Sequence, residues 1–107
     1  MPEIIIGKGE IFGKGVYANR NFKKGEIVIH YRLKKLTDDD LENLSEEEKY
    51  SVHTHYGEKY LYSIPERYVN HSSNPNTTQD IKKGCDIAFR NIQKGEQITT
   101  NALKDDI

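Results

Sequence analysis

Apolar residues in this chain come in short runs broken by glycine, proline, asparagine or charge. No run keeps a helical period for long. Ile4-Ile5-Ile6 is β-branched and predicts a first strand ended by Gly7. Glu10-Ile11-Phe12 resumes the pattern, Gly13-Lys14-Gly15 breaks it, and Val16-Tyr17-Ala18 follows. The Gly-x-Gly reads as a tight turn between strands, or as a place where a ligand approaches the backbone. It is not a dinucleotide fingerprint, because the third glycine and a long following helix are missing. Ile27-Val28-Ile29 predicts a core strand running on to Tyr31. Thr37-Asp38-Asp39-Asp40 and Ser45-Glu46-Glu47-Glu48 are hydroxyl-x-x-acid sequences that can cap helix starts. They predict short helices near 38–44 and 46–52, anchored by Leu36, Leu41 and Leu44, with the acids as a solvated surface. Tyr60-Leu61-Tyr62 predicts a strand after a turn at Gly57-Glu58. Thr77–Ile81 and Cys85–Arg90 predict a hairpin around Lys82-Lys83-Gly84, and Glu96–Thr100 a last strand. The sum is a mostly β domain of small strands with two short helices and no βαβ alternation.

One segment recurs. Arg20-Asn21-Phe22-Lys23-Lys24-Gly25-Glu26-Ile27-Val28 returns in outline as Arg90-Asn91-Ile92-Gln93-Lys94-Gly95-Glu96-Gln97-Ile98. In each, an apolar residue anchors a turn, glycine supplies a left-handed conformation, and a strand starts after the glutamate. The flanks differ, so the two copies read as two uses of one turn rather than a repeat protein.

Composition narrows the classes. A chain of 107 residues makes one domain, 1–107, able to bury roughly two-thirds of its unfolded surface. Sixteen basic and seventeen acidic side chains give a formal charge of −1, which argues against direct nucleic-acid binding. One cysteine excludes an internal disulfide and any multi-cysteine zinc site. Cys85 reads as packing, having no activating neighbours. His53-Thr54-His55 would put two imidazoles on one side of a strand, but no third ligand stands nearby, so no metal is expected. The apolar run at the start is too short for a signal peptide or a membrane span, and the chain is expected to be soluble and intracellular.

The stretch Glu66-Arg67-Tyr68-Val69-Asn70-His71-Ser72-Ser73-Asn74-Pro75-Asn76 turns from apolar to polar within a few residues. Asn, Ser and Pro there fix a loop by local hydrogen bonds and restricted φ. Arg67 to Asn76 closely resembles the Arg-Phe-x-Asn-His-Ser-x-x-Pro-Asn signature of SET-domain protein lysine methyltransferases. Phe12–Ala18 resembles that family's N-terminal Gly-x-Gly segment, Phe22–Val28 the turn and strand after it, and Asp86–Arg90 with Lys94–Asn101 its closing strands.

The resemblance implies a minimal, stand-alone SET domain: a β-clip-like set of small sheets with a C-terminal pseudoknot and no post-SET zinc segment. It implies S-adenosylmethionine as cofactor, held by Lys14, Gly15, Tyr17, Arg67, Asn70 and His71. The implied substrate is a lysine-bearing protein or peptide, including chromatin proteins, whose amine meets the methyl group in a narrow channel. In this family the last strand commonly closes Glu-x-x-Thr-x-x-Tyr, and the tyrosine supplies the channel hydroxyl. Here Glu96 and Thr99 are followed by Ala102 at the tyrosine's place, which leaves Tyr31 or Tyr62 as candidates for that catalytic role. Two readings stay open: a methyltransferase, impaired by Ala102, and a non-catalytic module that binds S-adenosylmethionine or a protein partner. With little chain after the last strand to wall the channel, a homodimer is also expected.

Overall fold

The computed structural model describes residues 2–80 and 82–101. The chain runs through β1 (Ile4–Ile11), β2 (Lys14–Ala18), β3 (Ile27–His30), β4 (Lys34–Lys35), α1 (Asp38–Glu42) and α2 (Glu46–Tyr50). It continues through β5 (Val52–His55), β6 (Glu58–Leu61), a 3-10 turn (Glu66–Tyr68), β7 (Asn70–His71), β8 (Thr77–Asp80), β9 (Cys85–Ala88) and β10 (Gln97–Thr100). Three small sheets result, in the orders β1-β2-β10-β7, β3-β9-β8 and β4-β6-β5.

The first hairpin corrects the expectation at Gly7. β1 runs straight through Gly7 and Gly9, with Ile4 opposite Ala18 and Gly7 opposite Gly15. A Cβ on Gly7 would lie 2.8 Å from the Tyr17 ring, and one on Gly9 2.3 Å from the Lys14 carbonyl oxygen. These glycines admit close neighbours; they do not turn the chain. The turn is Phe12-Gly13, with φ of 50° and 75°, and Lys14 and Gly15 are already strand. Both central residues of this two-residue loop are left-handed, as in a type I′ hairpin. Tyr56-Gly57 repeats the device between β5 and β6, with φ of 52° and 81°. An aromatic residue held in that region costs about 1–3 kcal/mol.

Both helices start where expected. Thr37 accepts from the Asp40 N–H while Asp40 accepts from Thr37, and Ser45 and Glu48 do the same. They end earlier than 44 and 52, because Asn43 and Ser51 leave helical φ and bond back to the last turn. Neither helix buries a residue; Leu36, just before α1, is the buried anchor.

The recurrent segments face each other. Phe22 and Ile92 exchange both backbone hydrogen bonds at 2.8 Å. Asn21 Oδ1 accepts from the Lys94 N–H, and Asn91 Oδ1 accepts from the Lys24 N–H, at 2.8 and 2.9 Å. The Gly25 N–H donates to Ala88 and the Gly95 N–H to Ala18. Glu26 and Glu96 each close their own turn on a backbone N–H, of Lys23 and Gln93. Two copies of one turn thus pair about an approximate twofold axis. Phe22 and Ile92, each 1% exposed, join Val16, Ala18, Val28, Ile29, Tyr68, Ala88 and Ile98 in the core.

The last strand is locked from both sides. β10 pairs antiparallel with β2 (Ile98 opposite Val16) and parallel with β7 (Thr99 opposite Asn70). Asn76, at the end of the polar loop, donates to the Gln97 carbonyl at 2.8 Å and accepts from the Thr99 N–H at 2.9 Å. Thr77 adds a bond to the Thr99 carbonyl. The part of the expected pseudoknot carried by residues 102–107, and Ala102 with it, lies outside the described residues.

Candidate functional site

The 3-10 turn and β7 put the polar signature segment against one wall of a cavity of about 350 Å³. A second hollow is larger, about 610 Å³, but its wall is mainly aliphatic, from Ile4, Ile5, Ile6, Val28, Ile29 and Ile64. Chemistry, not volume, singles out the smaller one.

Of the side chains expected to hold a ligand, Arg67, Asn70 and His71 line this cavity, and so do Tyr31 and Tyr62. Lys14, Gly15 and Tyr17, all in β2, do not. The Lys14 ammonium sits over the Tyr68 ring at 4.8 Å. Gly15 lies so close to Gln97 that a Cβ would meet its amide at 2.7 Å. The Tyr17 hydroxyl donates to the Lys8 carbonyl at 2.6 Å.

Asn70 has a structural task that its place in a polar stretch of sequence would not suggest. It is 3% exposed, and its amide donates to the Lys14 and Tyr68 carbonyls at 3.0 and 2.9 Å. Its oxygen accepts from the Glu10 N–H at 2.8 Å, next to the irregular end of the β1–β2 pairing. Asn70 therefore positions the hairpin against the cavity, and His71, its exposed neighbour, follows on the same strand. Arg67 donates to the Tyr62 carbonyl at 2.9 Å and pairs with Glu47 at 3.7 Å.

The two phenols sit together, ring centroids 5.5 Å apart. Tyr31 donates to the Asp86 carboxylate. Burial, and then the Asp86 charge beside it, push the Tyr31 phenol well above its ordinary range, so it stays protonated at neutral pH. The Tyr62 hydroxyl lies 2.6 Å from His55 Nε2 and also receives the Gln79 amide. His53 and His55, expected on one side of a strand, do stack with their centroids 6.5 Å apart, and both pack on Tyr62. Among the described residues no group of three or more His, Cys, Asp or Glu is placed to hold a metal. Cys85 is fully buried in β9, and burial raises its thiol.

Several residues of the site were not visible in the sequence. Asp86 is 1% exposed at the centre of a strand, and Glu66 is 3% exposed. Glu66 accepts from the Arg32 N–H with one oxygen, while its Oε1 and the Gln79 Oε1 are buried without a hydrogen-bond partner. An aspartate inside the Cys85–Ala88 run was the one available signal, since a charge in a short strand needs a partner. With Glu10, Glu66 and Asp86 set against Arg67, the wall carries a surplus of negative charge.

A family model described as SET domain matches residues 13–101. The chain belongs to the SET domain family. This SET domain is 27% identical, over 111 residues, to the Homo sapiens and Mus musculus proteins named Histone-lysine N-methyltransferase 2D. The alignment covers 90% of this chain but 2% of either relative, so the chain spans a small fraction of their length. A crystal structure of a candidate histone methyltransferase from Plasmodium falciparum superposes with a TM-score of 0.71 at 24% identity, covering 94% of this chain and 93% of that one. A structure of ctPRC2 in an autoinhibited conformation, bound to S-adenosylmethionine, gives 0.72 at 22% identity, covering 96% and 15%. At such identities the superpositions speak for the fold, which is the mostly β SET arrangement of small sheets and two short helices.

SET methyltransferases use S-adenosylmethionine. The cavity's donor set suits such a group. S-adenosylmethionine carries a sulfonium and an ammonium, and the surplus carboxylates and the unpartnered Glu66 and Gln79 oxygens are acceptors for positive charge and N–H donors. No helix among the described residues is long and apolar enough to cross a membrane.

Proposed function

We propose that this SET domain binds S-adenosylmethionine and is a protein-lysine N-methyltransferase acting on a histone or histone-like lysine, in association with chromatin. The observation that carries this reading is the convergence on one cavity of the signature residues Arg67, Asn70 and His71 with two phenols, Tyr31 and Tyr62. When bound, the cofactor supplies an electrophilic methyl group. Arg67 and His71 contact it from the cavity wall. Asn70 holds the β1–β2 hairpin in place, and Lys14, Gly15 and Tyr17 belong to the second strand of that hairpin.

Tyr31 supplies one orienting oxygen on the amine side and does not replace the hydroxyl that is missing at position 102. Its hydrogen is given to Asp86, which leaves its oxygen to accept an amine N–H and so orient the nitrogen lone pair. Tyr62 is braced by His55 and Gln79 and packs beside it. Ile11 and Val69 add apolar faces to the cavity wall, and the neutral amine is the nucleophile. A displacement at carbon needs collinear atoms, so this alignment is the protein's main contribution.

Ala102 has no hydroxyl to offer. Loss of one preorganised polar group costs about 10²–10³-fold in rate. The chain should therefore bind cofactor normally and transfer methyl slowly, and Ala102→Tyr should raise turnover at least about tenfold with cofactor affinity nearly unchanged. Labelled methyl transfer to mixed histones, paired with calorimetry using S-adenosylhomocysteine, tests both halves. Absence of binding at millimolar ligand would remove the reading. Binding without transfer by either form would favour the alternative, a non-catalytic module that binds the cofactor, for which Ala102 is the supporting feature.

A further inference from the structure

β1 is the longest strand among the described residues, and it stands at the edge of its sheet. Its outer rim divides in two. Ala18, opposite Ile4, donates its N–H to the Glu96 carbonyl, and its own carbonyl accepts from Gly95, both on the β10 side. Ile4 therefore turns its N–H and C=O away from β2, and by alternation so does Ile6. Further along, the rim is closed. The Lys8 carbonyl accepts from the Tyr17 hydroxyl at 2.6 Å, and the Glu10 N–H donates to Asn70 Oδ1 at 2.8 Å. Among the described residues no hydrogen bond outside the ladder reaches the backbone of Ile4 or Ile6. The side chains there are as open as the backbone. Ile5 and Ile6 are each 44% exposed, and Ile64, 47% exposed, lines the same aliphatic hollow of about 610 Å³. Sheet edges are ordinarily blunted by lysine, proline, a bulge or a cover. The second half of β1 has Lys8 and a register shift, and residues 4–6 have neither.

We infer that residues 4–6 are a self-pairing edge, on which a second copy of this chain docks its own β1, antiparallel, about a twofold axis at Ile5. The open groups of the two copies satisfy one another in that register, because Ile4 exchanges both backbone hydrogen bonds with the partner's Ile6. The register also ends itself. Its next hydrogen-bonding pair sets Pro2, which has no N–H, against Lys8, whose carbonyl is already taken by Tyr17. The missing donor thus falls opposite the filled acceptor. The apolar run is a palindrome about Ile5, so Ile4 meets Ile6 on one face and Ile5 meets Ile5 on the other. Both exposed isoleucines lose water, and the two four-stranded sheets become one. A second copy is the occupant because it carries this order of donors, proline and isoleucines by necessity, whereas a different chain would have to match it. Ile4, Ile5 and Ile6 do not line the 350 Å³ cavity, so the inference does not rest on the methyl-transfer reading. It gives the homodimer expected from the sequence a surface on β1 instead of the channel wall.

The test reads the axis. Ile5 opposes itself in a pair without hydrogen bonds, where Cα atoms lie about 4.5 Å apart, within disulfide reach. Ile5→Cys should therefore oxidise to a covalent dimer. Ile27→Cys, at 40% exposure on β3, should link at least about tenfold more slowly, and the buried Cys85 does not compete. Light scattering on the unaltered chain should show a dimer that dissociates on dilution. Ile5→Lys sets two like charges face to face and should weaken association at least about tenfold. The melting temperature of the unaltered chain should rise with its concentration, and that of Ile5→Lys should not. Hydrogen exchange at the Ile4 and Ile6 amides should slow as the chain is concentrated, while Ile5 and Gly7, bonded to β2, stay protected throughout. A chain that is monomeric at millimolar concentration would overturn the inference. So would a dimer undiminished by Ile5→Lys, Ile5→Cys that links no faster than Ile27→Cys, or exchange at Ile4 and Ile6 that ignores concentration, since each places the contact elsewhere. Open-ended assembly would also overturn it, because pairing about a twofold axis closes at two copies.

Discussion

The paired turns at Phe22 and Ile92 and the cavity behind Asn70 solve opposite problems with the same polar vocabulary. In the paired turns each asparagine oxygen finds a backbone N–H on the other copy, and each glutamate closes its own turn. Two apolar anchors meet beneath them. Around the cavity, by contrast, Glu66 and Gln79 keep buried oxygens without partners. A buried acceptor left unmatched costs about 1–3 kcal/mol. The molecule accepts that at one place and avoids it at the other, which is the physical distinction between a region built to persist and one built to receive something.

The contrast breaks most strongly at Phe22. Removing this ring opens the core between the two turns and strips Arg20 of the face it covers at 3.9 Å. Phe22→Ala should cost about 3–5 kcal/mol, read as a lower urea midpoint. A loss below about 1 kcal/mol would show the turns to be independent ornaments of the surface.

Asn70→Ala tests the joint between the regions. Three backbone groups lose their partner, at Glu10, Lys14 and Tyr68, so denaturation should show a loss of about 2–3 kcal/mol. Calorimetry should also show weaker S-adenosylhomocysteine binding, because the hairpin is no longer held. Weaker binding at full stability would make Asn70 a ligand contact and not a positioning residue.

Inside the cavity the sign should reverse. Glu66→Gln removes a buried charge with an unmatched oxygen and keeps an oxygen for the Arg32 N–H. The free chain should be as stable as before or gain up to about 1 kcal/mol. A loss above about 2 kcal/mol would mean that the carboxylate has a structural task like those in the turns.

Acid should separate the regions more gently. Glu26 and Glu96 are held below the ordinary carboxyl value of 4.5, first by the Lys23 and Gln93 N–H groups and then by Arg20 and Arg90. A depressed folded-state value stabilises above the unfolded one and is lost as pH falls through it. The urea midpoint should stay level near neutrality and decline below about pH 5, with a shallower decline in a Glu26→Gln, Glu96→Gln variant. An identical slope in that variant would place the acid sensitivity elsewhere, in the capping carboxylates of Asp40 and Glu48, which are depressed for the same reason.

What was legible in the sequence was local. Thr37 and Ser45 announced their helices because a capping box involves residues three apart, and Asn-His-Ser-x-x-Pro-Asn announced a polar loop because those side chains act on their own backbone. The likeness of the two Lys-Gly-Glu turns was also plain. That they pair with each other was not, because nothing in either copy encodes a partner so far along the chain.

Gly7 shows the same limit in reverse. Its sequence context reads as a strand end, and only the Tyr17 ring lying against it from β2 explains a glycine in mid-strand. The site divides along this line too. Residues 67–71 were marked by their own order, whereas Asp86, Glu66, Gln79 and Tyr50 became part of it only when β9, the 3-10 turn, β8 and α2 closed around one cavity. Short-range hydrogen bonding and φ preference are written into neighbouring residues. Burial of a charge, the pairing of a carboxylate with a phenol, and the meeting of two aromatic rings depend on distance in space, which the folded chain alone supplies.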